Sequence, residues 1–251
     1  MIESPRLSLM EHLGEVPDPR ILRTQRHELL DILAIALCAV IGGADHWTEV
    51  VEFGQSRLAW FATFLKLPNG IPSHDTFARV FRLIDTEALI TRWHGVDRLG
   101  YAITPRFVPS CSEAQLRGAG ELAASYADVW IQSHVAENRD EIAWVRQLHS
   151  EARSYLSVYE QFGLLRPRAV YAHCIHIDDE DRALMLDTGT AAAVSPTSNL
   201  FLGSGFFDYE AADRTGFLYG LASDVGGGTS FSPFPTLLAA SPVGRERPPQ
   251  P

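Results

Sequence analysis

Between residues 20 and 87 the apolar positions recur at helical spacing. His27 to Ile41 carries Leu30, Leu33, Ala34, Leu37, Val40 and Ile41 near one face, and Gly42-Gly43 stops the run. A second helix is predicted from His46 to Lys66, with Val50, Phe53, Leu58, Phe61 and Leu65 apolar and a break at Leu67-Pro-Asn-Gly70. Ser73 is a good N-cap for a third helix through Ile84, which would bury Phe77, Val80, Phe81 and Ile84. From Leu99 the rhythm changes to short apolar runs alternating with helical stretches. The strand candidates are Tyr101–Phe107, Val129–His134, Ala169–Ile175, Thr190–Val194 and Phe217–Ser223. Helices are predicted at about Glu113–Ser125, Asp140–Leu148, Tyr155–Phe162, Glu180–Asp187 and Asp208–Thr215, with Gly163, Gly189 and Gly216 where C-caps would fall. Repeated βα units imply an α/β fold with a parallel sheet. The expected division is a small all-α domain over 1–87, a partial TIM-type (β/α) barrel of about five βα units over 88–240, and a disordered Pro- and Arg-rich tail over 241–251.

In such sheets chemistry gathers at the carboxyl ends of the strands. Those ends carry Arg106-Phe107, His134, His173, Ser195 and Asp224. Three apolar runs that each stop on a metal-ligating residue type point to one hydrolytic metal centre at one end of the sheet. Each residue also has a plainer reading. His134 and His173 are satisfied strand-end histidines, with His176 nearby as a competitor or a solvated group. Asp224 is a turn aspartate ahead of Gly226-Gly-Gly228, whose glycines otherwise let the backbone approach a ligand closely. Glu137 is either a first-turn carboxylate favoured by the helix dipole or a proton shuttle beside a metal-bound water. Arg106 and Phe107 are a solvated cation and a core ring, or a pair that grips a flat polar ligand.

Composition narrows the partners. With 46% hydrophobic and 21% charged residues the chain reads as globular. Its formal net charge of −10 argues against nucleic acid or an acidic membrane surface. Cys38, Cys111 and Cys174 are odd in number and lack C-x-x-C spacing, which fits a reducing compartment. No signal segment is visible, and the apolar run from Ile32 to Gly43 is about half of the ~20 residues a membrane span needs. The expected location is the cytoplasm. A homo-oligomer is compatible with the sequence. Phosphate-loop patterns and the H-x-E…P-C-x-x-C pattern of cytidine-type deaminases are absent.

From about Leu89 to Ser232 the sequence closely resembles guanine deaminases of the amidohydrolase superfamily. The carriers are Arg92-Trp-His-Gly95, Tyr101-Ala-Ile-Thr-Pro-Arg-Phe107, Gln132-Ser-His-Val-Ala-Glu-Asn-Arg-Asp140, Tyr171-Ala-His173, Ser195-Pro-Thr-Ser-Asn-Leu200 and Ser223-Asp-Val-Gly-Gly-Gly-Thr-Ser230. The resemblance implies His134 and Asp224 as ligands of one zinc ion, and Glu137 as the residue moving protons between zinc-bound water and the purine. It implies His173 beside the metal, and Arg106 and Phe107 holding guanine, which is converted to xanthine and ammonia. The family's first barrel strand supplies a His-x-His pair, and this sequence contains no His-x-His. The matched part begins just before the family's fourth strand.

Residues of about 12–87 resemble the helical amino-terminal domain of insertion-sequence transposases of the H-repeat-associated type. The carriers are Asp18-Pro-Arg20, His27-Glu-Leu-Leu-Asp-Ile-Leu33, Gly43-Ala-Asp-His-Trp47 and Leu67-Pro-Asn-Gly-Ile-Pro-Ser-His-Asp-Thr-Phe77. The seam falls near Asp85–Ile90, as if a mobile element had entered a deaminase gene. The expectation is a guanine-deaminase-derived chain impaired by itself. The alternatives are a DNA- or subunit-binding module and an inert remnant. Residues 1–88 hold eight Lys/Arg against twelve Asp/Glu, a net of −4, which does not favour phosphate contacts.

Overall fold

Ser8 opens the described chain by accepting from the Glu11 N–H while Glu11 reaches back to the Ser8 N–H, a reciprocal cap that starts α1 (Leu9–Gly14). The structure is a computed structural model that describes residues 8–244, apart from 22, 24, 45, 225 and 231. Two compact units divide the chain, Met1–Arg92 and Trp93–Pro251. Among the described residues no helix is long and apolar enough to cross a membrane.

The first unit is helical. It contains α2 (Leu29–Ile41), α3 (Trp47–Ser56), α4 (Leu58–Phe61), α5 (His74–Leu83) and α6 (Thr86–Trp93), the last ending at the division between units. Its core gathers Ile32, Ile35, Ala39, Val50, Phe61, Phe77 and Val80. Three expectations fail here. Val40 and Ile41 are 58% and 66% exposed. Because α2 is apolar nearly all round, its periodicity does not select a face: Leu33 and Ala34 are buried as expected, and Leu29, Ile32, Ile35, Ala36 and Ala39 are buried with them. The single helix expected from His46 to Lys66 breaks at Arg57, whose N–H bonds to the carbonyls of both Phe53 and Gly54. Gly54 and Ser56 carry weak helical preference, and the break swings Phe61 into full burial beside Phe53. Phe81, expected inside, is 38% exposed and lies against Trp47.

Asp31, buried on α2, accepts from the backbone N–H groups of Lys66 and Leu67 at 3.3 and 2.9 Å. It therefore fixes a turn in which Leu67 takes a left-handed φ of 45°. Asp31→Ala is expected to cost about 2 kcal/mol by orphaning both donors. Urea unfolding of the full chain reads this, and a loss under about 0.5 kcal/mol would show that the turn holds without Asp31.

The second unit is built around five parallel strands in the order β1-β2-β3-β4-β5. These are β1 (Ala102–Ile103), β2 (Trp130–Val135), β3 (Ala169–His173), β4 (Ala191–Val194) and β5 (Tyr219–Leu221). All pairings are parallel, with Ile131 opposite Ala169 and Val135 opposite His173. The connections carry α7 (Glu113–Ser125), α8 (Arg139–Leu148), α9 (Tyr155–Gln161), α10 (Asp179–Thr188), α11 (Pro196–Leu202) and α12 (Tyr209–Thr215), and α13 (Pro233–Val243) follows β5. Side-chain oxygens start most of these: Ser112 caps α7, Asn138 α8, Ser154 α9, Asp178 α10 and Asp208 α12. Residues 241–243, read from the sequence as the start of the tail, form the end of α13, and 245–251 lie outside the described residues.

Strands were expected to be longer than they are. β1 stops at Ile103 and β5 at Leu221, so Arg106-Phe107 and Asp224 sit in the loops beyond their strands. Pro105 explains the first case, since it has no N–H to continue the ladder. Glycines at 226–228 fold the second loop back on itself.

Candidate active site at the strand ends

His134 is the penultimate residue of β2. Its backbone N–H and its ring Nδ1 both bond to the Arg106 carbonyl, at 3.2 and 2.7 Å. A carbonyl only accepts, so Nδ1 carries the proton and Nε2 keeps its lone pair. The same carbonyl accepts from Ser133 Oγ at 3.2 Å. Tyr159, fully buried on α9, donates to the His134 carbonyl at 2.8 Å and meets Ser133 Oγ at 2.7 Å. Burial pushes the Tyr159 hydroxyl well above its ordinary value, so it remains a donor. Two hydroxyls thus clamp the backbone on both sides of His134.

His173 ends β3 and would share a face with its register partner Val135 rather than with His134. Its left-handed φ of 71° takes its side chain out of that alternation, and its ring stacks 5.5 Å from that of His134. His173 Nδ1 bonds to the Asn199 side-chain oxygen at 2.9 Å, which leaves Nε2 facing Glu137 Oε2 at 3.7 Å. The other Glu137 oxygen accepts from Ser204 Oγ at 2.9 Å. Positive φ angles at Ala136 (50°), His173, Cys174 (51°) and Asp224 (52°) cluster in the turns after β2, β3 and β5. Each such residue costs on the order of 1 kcal/mol or more, and such strain concentrates at functional sites.

Arg106 and Phe107 face a cleft of about 320 Å³ with His134, Glu137, Glu141 and Trp144. The Arg106 guanidinium lies 4.8 Å above the Phe107 ring, and Trp144 meets that ring edge-on at 6.5 Å. His176 is not a free competitor for the site, because its Nε2 donates to the Ser204 carbonyl at 2.9 Å. Ser195 is buried at the start of α11. Asp224 packs against Gly227, where a Cβ would fall 2.7 Å from Asp224 Oδ2 and 3.2 Å from Ser198 Oγ. The glycines therefore let the loop close over Asp224 itself. Sequence reading missed Ser133, Tyr159, Asn199, Ser204, Glu141 and Trp144. Only Glu141 and Trp144 carried a signal, since they follow Glu137 at helical spacing on one face.

The donor set falls short of a catalytic zinc site. Such a site takes three protein ligands and a water. Among the described residues no group of three His, Cys, Asp or Glu side chains is placed to hold a metal. Two buried polar atoms beside His173 and Asp224, Asn199 Nδ2 and Ser198 Oγ, make no hydrogen bond, which marks this end of the sheet as incompletely satisfied.

Residues 57–245, most of the chain, match the amidohydrolase family model. The chain belongs to the amidohydrolase family. Residues 10–94 match a second model, described as DDE_Tnp_1-associated, so the transposase-like resemblance of the amino-terminal part stands beside the amidohydrolase one. Over 158 residues the chain is 42% identical to the guanine deaminase of Escherichia coli K12, covering 63% of this chain and 36% of that protein. A probable guanine deaminase of Deinococcus radiodurans matches equally, at 42% over 159 residues and 36% of its length. Among solved structures, E. coli guanine deaminase superposes with a TM-score of 0.62 at 41% identity, over 64% of this chain and 40% of that one. The enzyme of C. acetobutylicum, solved with guanine in its active site, gives 0.62 at 26% identity over 86% of this chain and 57% of its own. An adenosine deaminase of Xanthomonas campestris solved with bound zinc shares the fold, at 16% identity and a TM-score of 0.60. This amidohydrolase spans little more than a third of the length of the curated relatives it matches.

Proposed function

We propose that the second unit is a guanine-binding portion of a guanine-deaminase-type amidohydrolase, and that by itself it deaminates guanine little or not at all. The observation that carries this reading is the convergence of His134, Glu137 and His173 beside a cleft walled by Arg106 and Phe107. Arg106 donates in a planar fork suited to the acceptors of a purine edge, and the Phe107 ring offers a face or edge for the base. Glu137, held by Ser204, stands where a carboxylate can take and return a proton at the ring of a bound base. His173, fixed by Asn199, stands beside it.

His134 and Asp224 are the two residues that would offer donors to a zinc ion, one short of the usual three. In this reading the helical stretch 1–87 is transposase-derived, the amidohydrolase part occupies 88–240, and the seam lies within α6. The net charge of −4 over 1–88 speaks against DNA as a partner of the first unit.

The test is zinc content and ammonia release. After dialysis against a zinc-containing buffer and then a zinc-free one, the purified chain is expected to retain substoichiometric zinc. It is expected to release no ammonia from guanine beyond a protein-free control. One zinc retained per chain together with steady ammonia release would overturn the reading of an incomplete centre.

A further inference from the structure

Two loops decide where the Glu137 carboxylate stands, and one histidine ties them together. Glu137 follows Ala136, which takes a left-handed φ of 50° directly after β2. A non-glycine residue keeps that conformation only where its surroundings hold it. His176 supplies one such hold, since its backbone N–H donates to the Ala136 carbonyl at 3.1 Å. The ring of the same residue reaches the second loop, beyond α11. Its Nε2 meets the Ser204 carbonyl at 2.9 Å, and because a carbonyl only accepts, Nε2 carries a proton and donates it.

Ser204 is thereby fixed on both sides of its backbone. Its N–H donates to the Asn199 carbonyl at 2.9 Å, and its C=O receives the imidazole. With the backbone held, the hydroxyl donates to Glu137 Oε1 at 2.9 Å. The Asn199 side chain accepts from His173 Nδ1, so the end of α11 that steadies Glu137 also steadies His173. The chain closes tightly on the imidazole here. Gly205 has a φ of 131°, and a Cβ there would lie 3.1 Å from Ile175 Cγ2 and 3.4 Å from His176 Cε1. A histidine that only satisfied its own polar atoms could use any acceptor. His176 instead places its two N–H groups on the carbonyl of the residue before Glu137 and on the carbonyl of the residue bonded to it. His176 does not itself line the cleft that holds Arg106 and Phe107.

We propose that His176 is a positioning residue for Glu137: it holds Ala136 and Ser204 at one separation and so keeps the carboxylate aimed at the base in the cleft. The inference rests on the guanine-binding reading above and extends it to a residue that touches no base. His176 acts only through Glu137, with Ser204 as the link.

A double-mutant cycle on guanine affinity tests it, read by equilibrium dialysis of the full chain with radiolabelled guanine. Glu137→Gln is expected to weaken guanine about tenfold, the scale of one charge-assisted bond. His176→Ala is expected to weaken it about fivefold in the wild-type background, the scale of one neutral hydrogen bond. In the Glu137→Gln background, where the carboxylate it positions is gone, the same change is expected to cost less than about twofold. His176→Gln, whose amide N–H reaches the place of Nε2, is expected to stay within about twofold of wild type. Should His176→Ala fail to fold, His176→Asn takes its place in the cycle, since its shorter amide stops short of the Ser204 carbonyl. If the wild type binds no guanine, the guanine-binding reading falls and this inference with it. If the wild type binds guanine but Glu137→Gln binds it equally well, guanine binding stands and the role given to Glu137 falls together with this inference. If the two losses multiply to about fiftyfold, as independent sites do, this inference alone is overturned. Wild-type affinity in His176→Ala, or a loss in His176→Gln as large as that in His176→Ala, overturns it as well.

Discussion

Tyr159→Ala is expected to destabilise the second unit by about 4–5 kcal/mol, a large part of the ~5–15 kcal/mol that holds a domain together. The ring is fully buried, 4.7 Å from Tyr171 and 5.9 Å from Tyr155, so truncation opens a cavity that its large neighbours cannot readily fill. Cavity formation alone costs about 3–5 kcal/mol for a lost aromatic ring. The hydroxyl adds to that, because the His134 carbonyl loses its 2.8 Å donor and Ser133 loses its 2.7 Å partner. Tyr159→Phe separates the two effects, keeping the ring and costing about 1–3 kcal/mol for the orphaned groups. Urea unfolding of wild type and both variants, followed by near-ultraviolet dichroism, measures each step. A loss below about 1 kcal/mol for Tyr159→Ala would mean that the clamp around His134 carries no stability. The site and the core are thus one structure: the ring fills the layer between β2, β3 and α9, and its oxygen fixes the strand end that presents His134.

The sequence shows where the chemistry lies better than it shows how the chemistry is held. The five parallel strands were legible because their apolar runs are short and separated by helices that start on capping residues such as Ser112 and Asp178. His134 and His173 stood out by ending those runs. Their approach to one another did not, because it depends on a left-handed φ at His173, a conformation uncommon for any residue but glycine and not legible from one histidine. The strand extents were overestimated for a related reason. Apolar pattern reports burial, whereas β1 is cut short by Pro105 and β5 ends where its partner β4 ends at Val194. The roles of Asn199, on α11, and Ser204, in the loop after it, were invisible because each meets its histidine or carboxylate from far along the chain. Inside α2 the failure was of another kind. A helix with apolar residues all round hides its buried face, which in the core of this unit holds Ile32, Ile35 and Ala39 together with Phe61 and Phe77.

Gly120→Ala is expected to destabilise the second unit by about 3 kcal/mol, although alanine is the better helix former. The propensity gain in a helix interior is about 1 kcal/mol. Against it stands a collision: a Cβ at position 120 of α7 would lie 1.9 Å from the Phe162 carbonyl oxygen, the first residue beyond α9. The obstacle is backbone, which cannot rotate away, so α7 or the end of α9 has to move, and overpacking of this kind costs about 1–3 kcal/mol and occasionally more. At 1.9 Å the clash is deep enough to place the site at the upper end, and the collision outweighs the propensity gain. Gly118, in the same helix, has nothing within 4 Å of such a Cβ. Gly118→Ala is accordingly expected to stabilise the unit by up to about 1 kcal/mol. The pair isolates the contact, since composition and helix are held constant, and the expected signs are opposite. Denaturant unfolding that moves both variants in the same direction would refute the close approach of α7 to α9. The consequence reaches the cleft as well. Helix α9 carries both Tyr155 and Tyr159, so displacing it pulls on the hydroxyls that hold Glu141 and His134, and under the proposed guanine-binding role Gly120→Ala should weaken guanine binding more than its distance from the cleft would suggest.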